Sequence, residues 1–251
     1  YYAIYIDTIR VAVRRDSVSK EAFYIVLGLR EDLRREILGI YNLPEETKEG
    51  WRHVIKDIKD RGVEEALIFI IDEFKGLDEV IMEEYGNSRI QRCINHKKRN
   101  LIMKVRVKDK RQIIEEFDKV IDMNNINYRK EEAIKRLEEF IKKWERIYPC
   151  IGRMFTRQEE YFSYLEFPYG MRRMIYTNNW IESINNQIKR TTKIRNSFPD
   201  PKSALKLIIF KCIEIEERLM RYPITALLPY KDELDAMFGE KLEPVLQTHK
   251  T

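Results

Sequence analysis

The stretch Ala66 to Asp72, ALIFIID, decides the predicted fold of this chain. Its first six residues are apolar without interruption, and runs this short and continuous are typical of strands buried on both faces of a parallel sheet. The run ends on an acid, Asp72. Because a buried carboxylate without a partner would become neutral, Asp72 indicates either a bound cation or a solvated strand end. Open α/β sheets place their ligand sites just beyond the carboxyl ends of strands, which allows both interpretations.

A second acid, Asp7, repeats this pattern near the start of the chain. It follows an aromatic and aliphatic run, Tyr1 to Ile6. After it, Ile9, Val11 and Val13 alternate with polar or small residues, as in a half-buried strand. The sequence therefore predicts two strands that each carry an acid.

The order of predicted elements brings these two strands together. Three strands precede a helix, and strand, helix and strand follow, which is a β-β-β-α-β-α-β order. In that order the first and fourth strands can lie side by side and parallel, so Asp7 and Asp72 would be neighbours. The predicted ranges are strands at residues 2–14, 21–29 and 34–42, a helix from about Glu45 to Arg61 opened by Pro44, a strand at 66–72, a helix at 76–85 and a strand at 89–93.

The second part of the chain has helical periodicity. Apolar stripes at 113–121 and 134–144 predict an all-α insertion, and an aromatic segment follows it. Further helices are predicted from Asn179 to about Thr191 and from Pro201 onward. We therefore divide the chain into a first part of the core at 1–94, an all-α insertion at 95–176, the last helices of the core at 177–222, and a C-terminal tail at 223–251, partly helical around Asp232 to Phe238.

A third acid, Glu182, allows two interpretations. Asn179 followed three residues later by Glu182 is close to a capping box, in which the glutamate only closes a helix start. Helical spacing favours a functional role, because Ile181, Ile184 and Ile188 would form a buried stripe. The adjacent polar face, suited to both a metal and a phosphate, carries Glu182, Asn178, Asn185 and Lys189.

Composition limits the class of protein. The chain has 251 residues and a formal net charge of +5. No apolar run approaches the roughly 20 residues needed to span a bilayer, so we expect no membrane association. The three cysteines are odd in number and far apart, which suits a reducing compartment and predicts a cytoplasmic protein.

Basic residues are concentrated in two segments. Residues 87–111 contain ten lysines and arginines against one acid, Asp109, and a second basic segment runs from Lys189 to Arg195. A solvated charged face would explain such runs, but acidic stretches are kept elsewhere in the chain. The distribution therefore predicts contact with a polyanion, most simply a nucleic acid.

The chain contains four separated motifs, which are, in order, YIDT from Tyr5, IIDEFKGL from Ile70, QRCINHKKRNL from Gln91 and TNNWIESINNQIKRTTKIRNSFPDPKSALKLI from Thr177. Taken together and in this order, they resemble the Mutator-type family of prokaryotic insertion-sequence transposases. The resemblance covers about residues 3 to 218. The family has cysteine and histidine at the positions of Cys93 and His96, and an asparagine at Asn179. Two residues depart from it: Trp180 stands where a small residue or proline is usual, and Asn178 replaces a threonine.

The resemblance implies a fold and a chemistry. The fold would be a ribonuclease H-like mixed five-stranded sheet flanked by helices, interrupted by an all-α insertion before the last catalytic helix. The function would be that of a DDE transposase, which cleaves DNA and transfers strands at insertion-sequence ends. Asp7, Asp72 and Glu182 would hold two Mg²⁺ or Mn²⁺ ions, with Asp7 bridging them and each of the other two acids on one ion.

The resemblance also implies partners. These are double-stranded DNA, both the terminal inverted repeats and the target, and further copies of the chain when active, in a nucleoid-associated setting. We expect Cys93 and His96 to form a structural pair, since a structural zinc site needs four ligands and histidine is scarce here. Residues expected to contact DNA are Arg89, Arg92, Lys97, Lys98, Arg99, Asn179, Lys189, Arg190, Lys193 and Arg195.

Two alternatives remain open from the sequence. The first is a metal-dependent DNA nuclease of the same fold that cuts without strand transfer. The second is a non-catalytic DNA-binding remnant. Joined DNA products would separate the first from a transposase, and metal binding by the three acids would separate the second.

Overall fold

A computed structural model of the chain describes residues 1–14, 17–43, 47–195 and 197–248. Five strands form one sheet, in the spatial order third, second, first, fourth, fifth. The first pairs antiparallel with the second and parallel with the fourth, and the second pairs antiparallel with the third. This mixed sheet, flanked by helices, confirms the predicted fold class and is consistent with a ribonuclease H-like fold. The strands are β1 (Ala3–Arg14), β2 (Val18–Leu29), β3 (Arg35–Asn42), β4 (Ile68–Ile71) and β5 (Arg89–Arg92).

The helices follow the predicted order with adjusted ends. The predicted start of the first helix, at Pro44 and Glu45, lies outside the described residues, and the helix is observed from Lys48, where the Thr47 side chain accepts a 3.1 Å hydrogen bond from the Gly50 amide. The longer helices are α1 (Lys48–Asp60), α2 (Leu77–Tyr85), α3 (Ile94–Lys104), α4 (Lys110–Ile121), α5 (Lys130–Trp144), α6 (Cys150–Met154), α7 (Tyr169–Ile175), α8 (Asn179–Lys193), α9 (Pro201–Leu219) and α10 (Lys231–Thr248).

The sheet is covered on both faces. Successive side chains of a strand point to opposite faces. Tyr24 of β2 packs edge-on against Trp51 of α1, with ring centroids 4.7 Å apart. Tyr5 of β1 points to the other face and contacts Trp180 of α8, with centroids 5.5 Å apart. The predicted burial of the first and fourth strands follows from this double cover.

The chain divides into two compact units, and the division falls within β5. One unit comprises Tyr1–Arg89 and Asn178–Thr251, and the other comprises Ile90–Thr177. After β5, the described residues of the second unit form only helices and turns. Its core includes the ring of Phe117, which lies 5.4 Å from that of Phe140 and 5.7 Å from that of Phe155.

The C-terminal segment is more ordered than its sequence predicts. It forms the long helix α10, with Leu234 fully buried. Lys241 is also buried, and its Nζ donates to Ser88 Oγ at 2.6 Å and lies 2.7 Å from a Glu65 carboxylate oxygen. Burial lowers the pKa of Lys241. The sequence predicts a tail that is only partly helical, around Asp232 to Phe238, because these long-range contacts leave no local periodicity.

None of the helices in the described part of the chain is long and apolar enough to cross a membrane.

Several buried tyrosines predict a loss of stability in alkali. Burial raises the pKa of Tyr5, Tyr85 and Tyr164 above the ordinary value of about 10. The folded chain therefore keeps these protons longer than the unfolded chain does. The resulting stabilisation is complete below pH of about 10 and is lost as pH rises further. The lowered pKa of Lys241 changes the free energy of unfolding with pH in the opposite direction, but Lys241 is a single group and the tyrosines are several.

Urea unfolding followed by circular dichroism between pH 8 and pH 11 measures this effect. We expect the free energy of unfolding to fall steeply above pH of about 10. In Tyr85→Phe the fall should be shallower, since the hydroxyl that donates to the Val63 carbonyl at 2.6 Å is gone. A free energy of unfolding that stays constant up to pH 11 would contradict the prediction.

Candidate active site

Asp7 is an acid inside the sheet. It lies in β1 with only 6% of its surface exposed. The backbone amide of Thr8 donates to its Oδ1 at 2.8 Å, and Asn185 Nδ2 donates to its Oδ2 at 2.8 Å. Each carboxylate oxygen thus accepts a hydrogen bond from a neutral donor, and neither of these two donors cancels the negative charge of the carboxylate.

Asp72 follows directly after β4 and is half-buried. Asn178 Nδ2 donates to its Oδ1 at 3.0 Å. In the parallel ladder between β1 and β4, Tyr5 is paired with Ile70. Continuing that register by two residues aligns Asp7 with Asp72, on strands that lie about 5 Å apart. The predicted proximity of the two acids therefore agrees with the sheet register.

Helix α8 connects both acids. Its N-cap residue, Asn178, contacts Asp72, and Asn185, seven residues later, contacts Asp7. Seven residues are about two helical turns, or roughly 10 Å along the axis. Glu182 is four residues after Asn178 and three before Asn185, and these spacings place it on the same helix face. The three acids are thus associated with one face of α8.

The capping-box interpretation of Glu182 does not agree with the helix start. The N-cap is Asn178, not Asn179, and no side-chain hydrogen bond caps it. Glu182 donates its backbone amide to the Asn178 carbonyl at 2.8 Å, so it is the fourth helical residue. A capping box requires the glutamate at the third position. The exposed Asn179 is correspondingly not part of a cap.

The adjacent, apolar face of α8 packs as the sequence predicts. Ile181, Ile184 and Ile188 are all buried. Trp180 is half-buried between Tyr5 and the Arg35 guanidinium, which lies 4.9 Å from the centroid of the indole ring. Burial lowers the pKa of Arg35. The indole therefore fixes the start of α8 against the sheet, a role that the sequence did not indicate.

The donor atoms around Asp7 suit a hard cation. The oxygens that could bind a cation are those of the Asp7 carboxylate itself and the amide oxygen of Asn185, and Mg²⁺ prefers oxygen to nitrogen or sulfur. Among the described residues, the buried Asn185 Oδ1 has no hydrogen-bond partner, and it belongs to the amide that contacts Asp7. A buried oxygen acceptor beside a carboxylate fits a cation better than it fits an apolar core. Sequence reasoning placed Asn185 on the polar face without assigning it a role.

The second unit contains Cys93 and His96. Cys93 is the buried N-cap residue of α3, and His96 is half-buried on the first turn of that helix. Arg99 lies 3.2 Å from the Nε2 atom of His96. The structural role expected for this pair stays a prediction.

Two basic residues expected to contact DNA lie inside the second unit instead. Lys97 is only 1% exposed, and its Nζ donates to the Met154 carbonyl at 2.6 Å and lies about 5 Å from the ring centroids of Phe155 and Tyr161. Arg92 is buried and paired with Glu160 at 2.6 Å. A duplex cannot reach these side chains. The spacing of Lys97 from the buried Ile94 and Leu101 was the sequence signal for this placement.

Other basic residues are accessible. Arg89, Lys189 and Lys98 are half-buried, and Lys98 is paired with Asp118. A basic turn, defined here as residues 103–108, is more exposed, with Met103 at 72% and Val107 at 82%. Within the described residues, its cations Lys104, Arg106 and Lys108 form no ion pair. The exposed residues among those expected to contact DNA are Arg99, Asn179, Arg190, Lys193 and Arg195.

The family model described as Transposase, Mutator family, matches residues 1–221. The chain belongs to the Mutator family of transposases. This membership confirms the resemblance found in the four motifs.

Individual relatives are also insertion-sequence transposases by name. The chain is 31% identical, over 96% of its length, to the transposase for insertion sequence element ISRM3 of Rhizobium meliloti (strain 1021), and covers 60% of that protein. It is 30% identical, over 92% of its length, to the transposase for element IS905 of Lactococcus lactis subsp. lactis (strain IL1403), and covers 54% of it. This Mutator-family chain thus spans little more than half the length of these relatives.

Replacing Asn185 tests the environment of Asp7. Asn185→Ala should lower the free energy of unfolding by about 1–3 kcal/mol, because a buried hydrogen bond to a carboxylate is lost. Asn185→Asp should cost more at pH 8 than at pH 5, since two adjacent carboxylates repel when both are ionised. Urea denaturation at the two pH values measures both effects.

The neighbouring Asn186 is exposed, and Asn186→Ala and Asn186→Asp provide the matched controls. Their effects should stay within about 0.5 kcal/mol at either pH. An Asn185→Asp variant with the same stability loss at both pH values would argue against an ionised carboxylate at Asp7.

Proposed function

We propose that this chain carries the catalytic domain of a DDE transposase, which cleaves DNA at insertion-sequence ends and transfers the cut strand to a target. The observation that carries the proposal is the pair of amides on α8. Asn185 contacts Asp7 and Asn178 contacts Asp72, while Glu182 lies between them on the same helix face. Membership of the Mutator family supports a transposase, and the carboxylate geometry supports this chemistry for it.

Asp7, Asp72 and Glu182 are the residues that would hold divalent metal, as two Mg²⁺ or Mn²⁺ ions. When bound, such ions activate an attacking oxygen and stabilise a leaving oxygen in phosphoryl transfer. The side chains of Asn178 and Asn185 would orient the two aspartates without neutralising them. The three carboxylates would together supply the negative charge that a divalent cation requires, and their oxygen atoms match its preference.

The reaction would have two steps of the same type. In the first, water attacks a phosphodiester at the element end, a new P–O bond forms, and the bond to the 3′ oxygen breaks, which leaves a 3′-hydroxyl. In the second, this hydroxyl attacks a phosphodiester of the target, loses its proton, and displaces a 3′ oxygen of the target strand. Neither step requires a covalent bond to the protein.

The partner would be double-stranded DNA, at the terminal inverted repeats and at the target. The exposed cations of the basic turn and the C-terminal end of α8 are available to phosphates. In this proposal residues 1–94 and 177–222 form the catalytic core, 95–176 the insertion and 223–251 the C-terminal segment. Cys93 and His96 would stabilise the start of α3, and the active form would be a homo-oligomer.

Neutralising each acid tests the catalytic assignment. Asp7→Asn, Asp72→Asn and Glu182→Gln should each reduce cleavage by about a hundredfold or more, while folding and DNA binding stay nearly unchanged. The assay incubates full-length protein with labelled element ends, target DNA and Mg²⁺ or Mn²⁺. Glu73→Gln removes the charge of the exposed residue next to Asp72 and is the matched control.

The products distinguish the remaining alternatives. Cut element ends joined to target DNA support strand transfer, and cut ends that never join would identify a nuclease instead. A wild-type protein that binds DNA, but binds no metal and produces no cleavage products, would indicate a non-catalytic remnant. A Glu182→Gln protein that cuts at the wild-type rate would remove Glu182 from the site.

The basic turn predicts a salt-dependent affinity for duplex DNA. Replacing Lys104, Arg106 and Lys108 with alanine should weaken binding to all sequences. The slope of log K against log salt should flatten by up to about 3, because each neutralised phosphate contributes about 0.9. Fluorescence anisotropy with a labelled duplex between 50 and 300 mM salt gives both quantities.

A second triple variant of the same unit removes the same charge from another surface. Its affinity for duplex DNA and its salt slope should stay close to those of the wild type. If both triple variants change the slope equally, binding follows net charge and the basic turn has no special role. The control residues, all exposed, are Lys135, Lys142 and Arg146.

A further inference from the structure

Helix α9 is packed on one face and exposes apolar side chains on another. Ala204, Ile208, Cys212 and Ile215 are buried. In contrast, Phe210 is 71% exposed and Ile213 is 50% exposed. An exposed phenylalanine next to a second exposed apolar residue is costly in water and often marks an interaction site. The proposed catalysis makes no use of this face.

The exposed side chains form a stripe with a regular spacing. Lys206, Phe210, Ile213 and Glu217 are all exposed and follow one another at intervals of four, three and four residues. This is the spacing of the contact residues where two helices pack side by side. The stripe runs for about three turns, or roughly 16 Å. Ile209 lies beside it, 38% exposed.

The charges at the two ends of the stripe select one arrangement of two copies. In an antiparallel pair with its two-fold axis between residues 211 and 212, Phe210 of one copy faces Ile213 of the other. Lys206 then faces Glu217 of the second copy, at both ends of the contact. In a parallel pair Lys206 would face Lys206 and Glu217 would face Glu217, which is repulsive. The stripe is therefore complementary to itself only in the antiparallel sense.

We propose that a second copy of this chain binds the α9 stripe, as a two-fold symmetric antiparallel helix pair. The contact has two apolar inner layers, in which Phe210 faces Ile213. It has two outer layers, in each of which Lys206 of one copy faces Glu217 of the other. It is small, so the association is expected to be weak and concentration-dependent. This interface would be the contact surface of the homo-oligomer in the proposed function, and only in this point does the proposal rest on that function. It needs neither metal nor DNA.

Charge reversal provides the sharpest test. Lys206→Glu and Glu217→Lys should each weaken self-association by about tenfold or more, because each places like charges in both outer layers. The double variant restores opposite charges and should return the dissociation constant to within about threefold of the wild type. Sedimentation velocity of the 251-residue chain over a concentration series, without DNA or metal, measures these constants.

One further variant examines the inner layers, and a second variant, on another helix, is its control. Phe210→Ala should weaken association by about tenfold or more, as for an aromatic residue at the centre of an interface. Met82→Ala, at an exposed apolar residue of α2, is the matched control and should leave association unchanged. Thermal unfolding by circular dichroism should be alike in all variants, since the replaced side chains are exposed.

Three results would overturn the proposal. They are a wild-type chain that stays monomeric at the highest concentration, single charge variants that associate as the wild type does, and a double variant that fails to recover. Cleavage and joining are measured separately on the acid variants. Loss of the interface and loss of the catalytic assignment are thus distinguishable.

Discussion

The parallel pairing of β1 with β4 is the constraint on which the candidate site depends. When the register is continued by two residues beyond its last pair, Tyr5 with Ile70, Asp7 is level with Asp72. Two carboxylates at that separation repel each other when both are ionised, so the arrangement is unfavourable without compensating donors or a cation. A fold stabilised only by apolar burial would gain nothing from it. In the proposed function, the pairing brings two negative charges together at one edge of an otherwise apolar pair of strands.

The compensation that α8 provides is neutral. Amide groups of Asn178 and Asn185 donate to the two aspartates, where lysine or arginine would form a stronger pair. A cationic partner would occupy the carboxylates and compete with a metal ion. An amide orients the oxygen atoms and leaves their charge in place. The choice of asparagine at both positions thus agrees with a site that attracts cations.

The second unit shows why charge in a sequence does not equal charge on a surface. Lys97 belongs to a dense basic run, yet it is buried, with its ammonium group satisfied by a backbone carbonyl and by two aromatic faces. Arg92 is neutralised by Glu160. The accessible charge includes Arg99 and, further along, the basic turn, beside exposed Met103 and Val107. A polyanion would meet only part of the run that composition identifies.

The sequence alone determined which segments form strands and which faces of the helices are apolar. The continuous run before Asp72, the alternation after Asp7 and the isoleucines of α8 are local patterns, and each is observed as predicted. Only the tertiary structure decided the polar partners. Asn178 lies 106 residues from Asp72 in sequence, and Asn185 lies 178 residues from Asp7. The spacing of apolar residues along the sequence indicates which side chains face the core, because that depends only on the residue and on the helix or strand in which it lies. It contains no information about which donor arrives from a distant element, since that depends on how the strands and helices are packed.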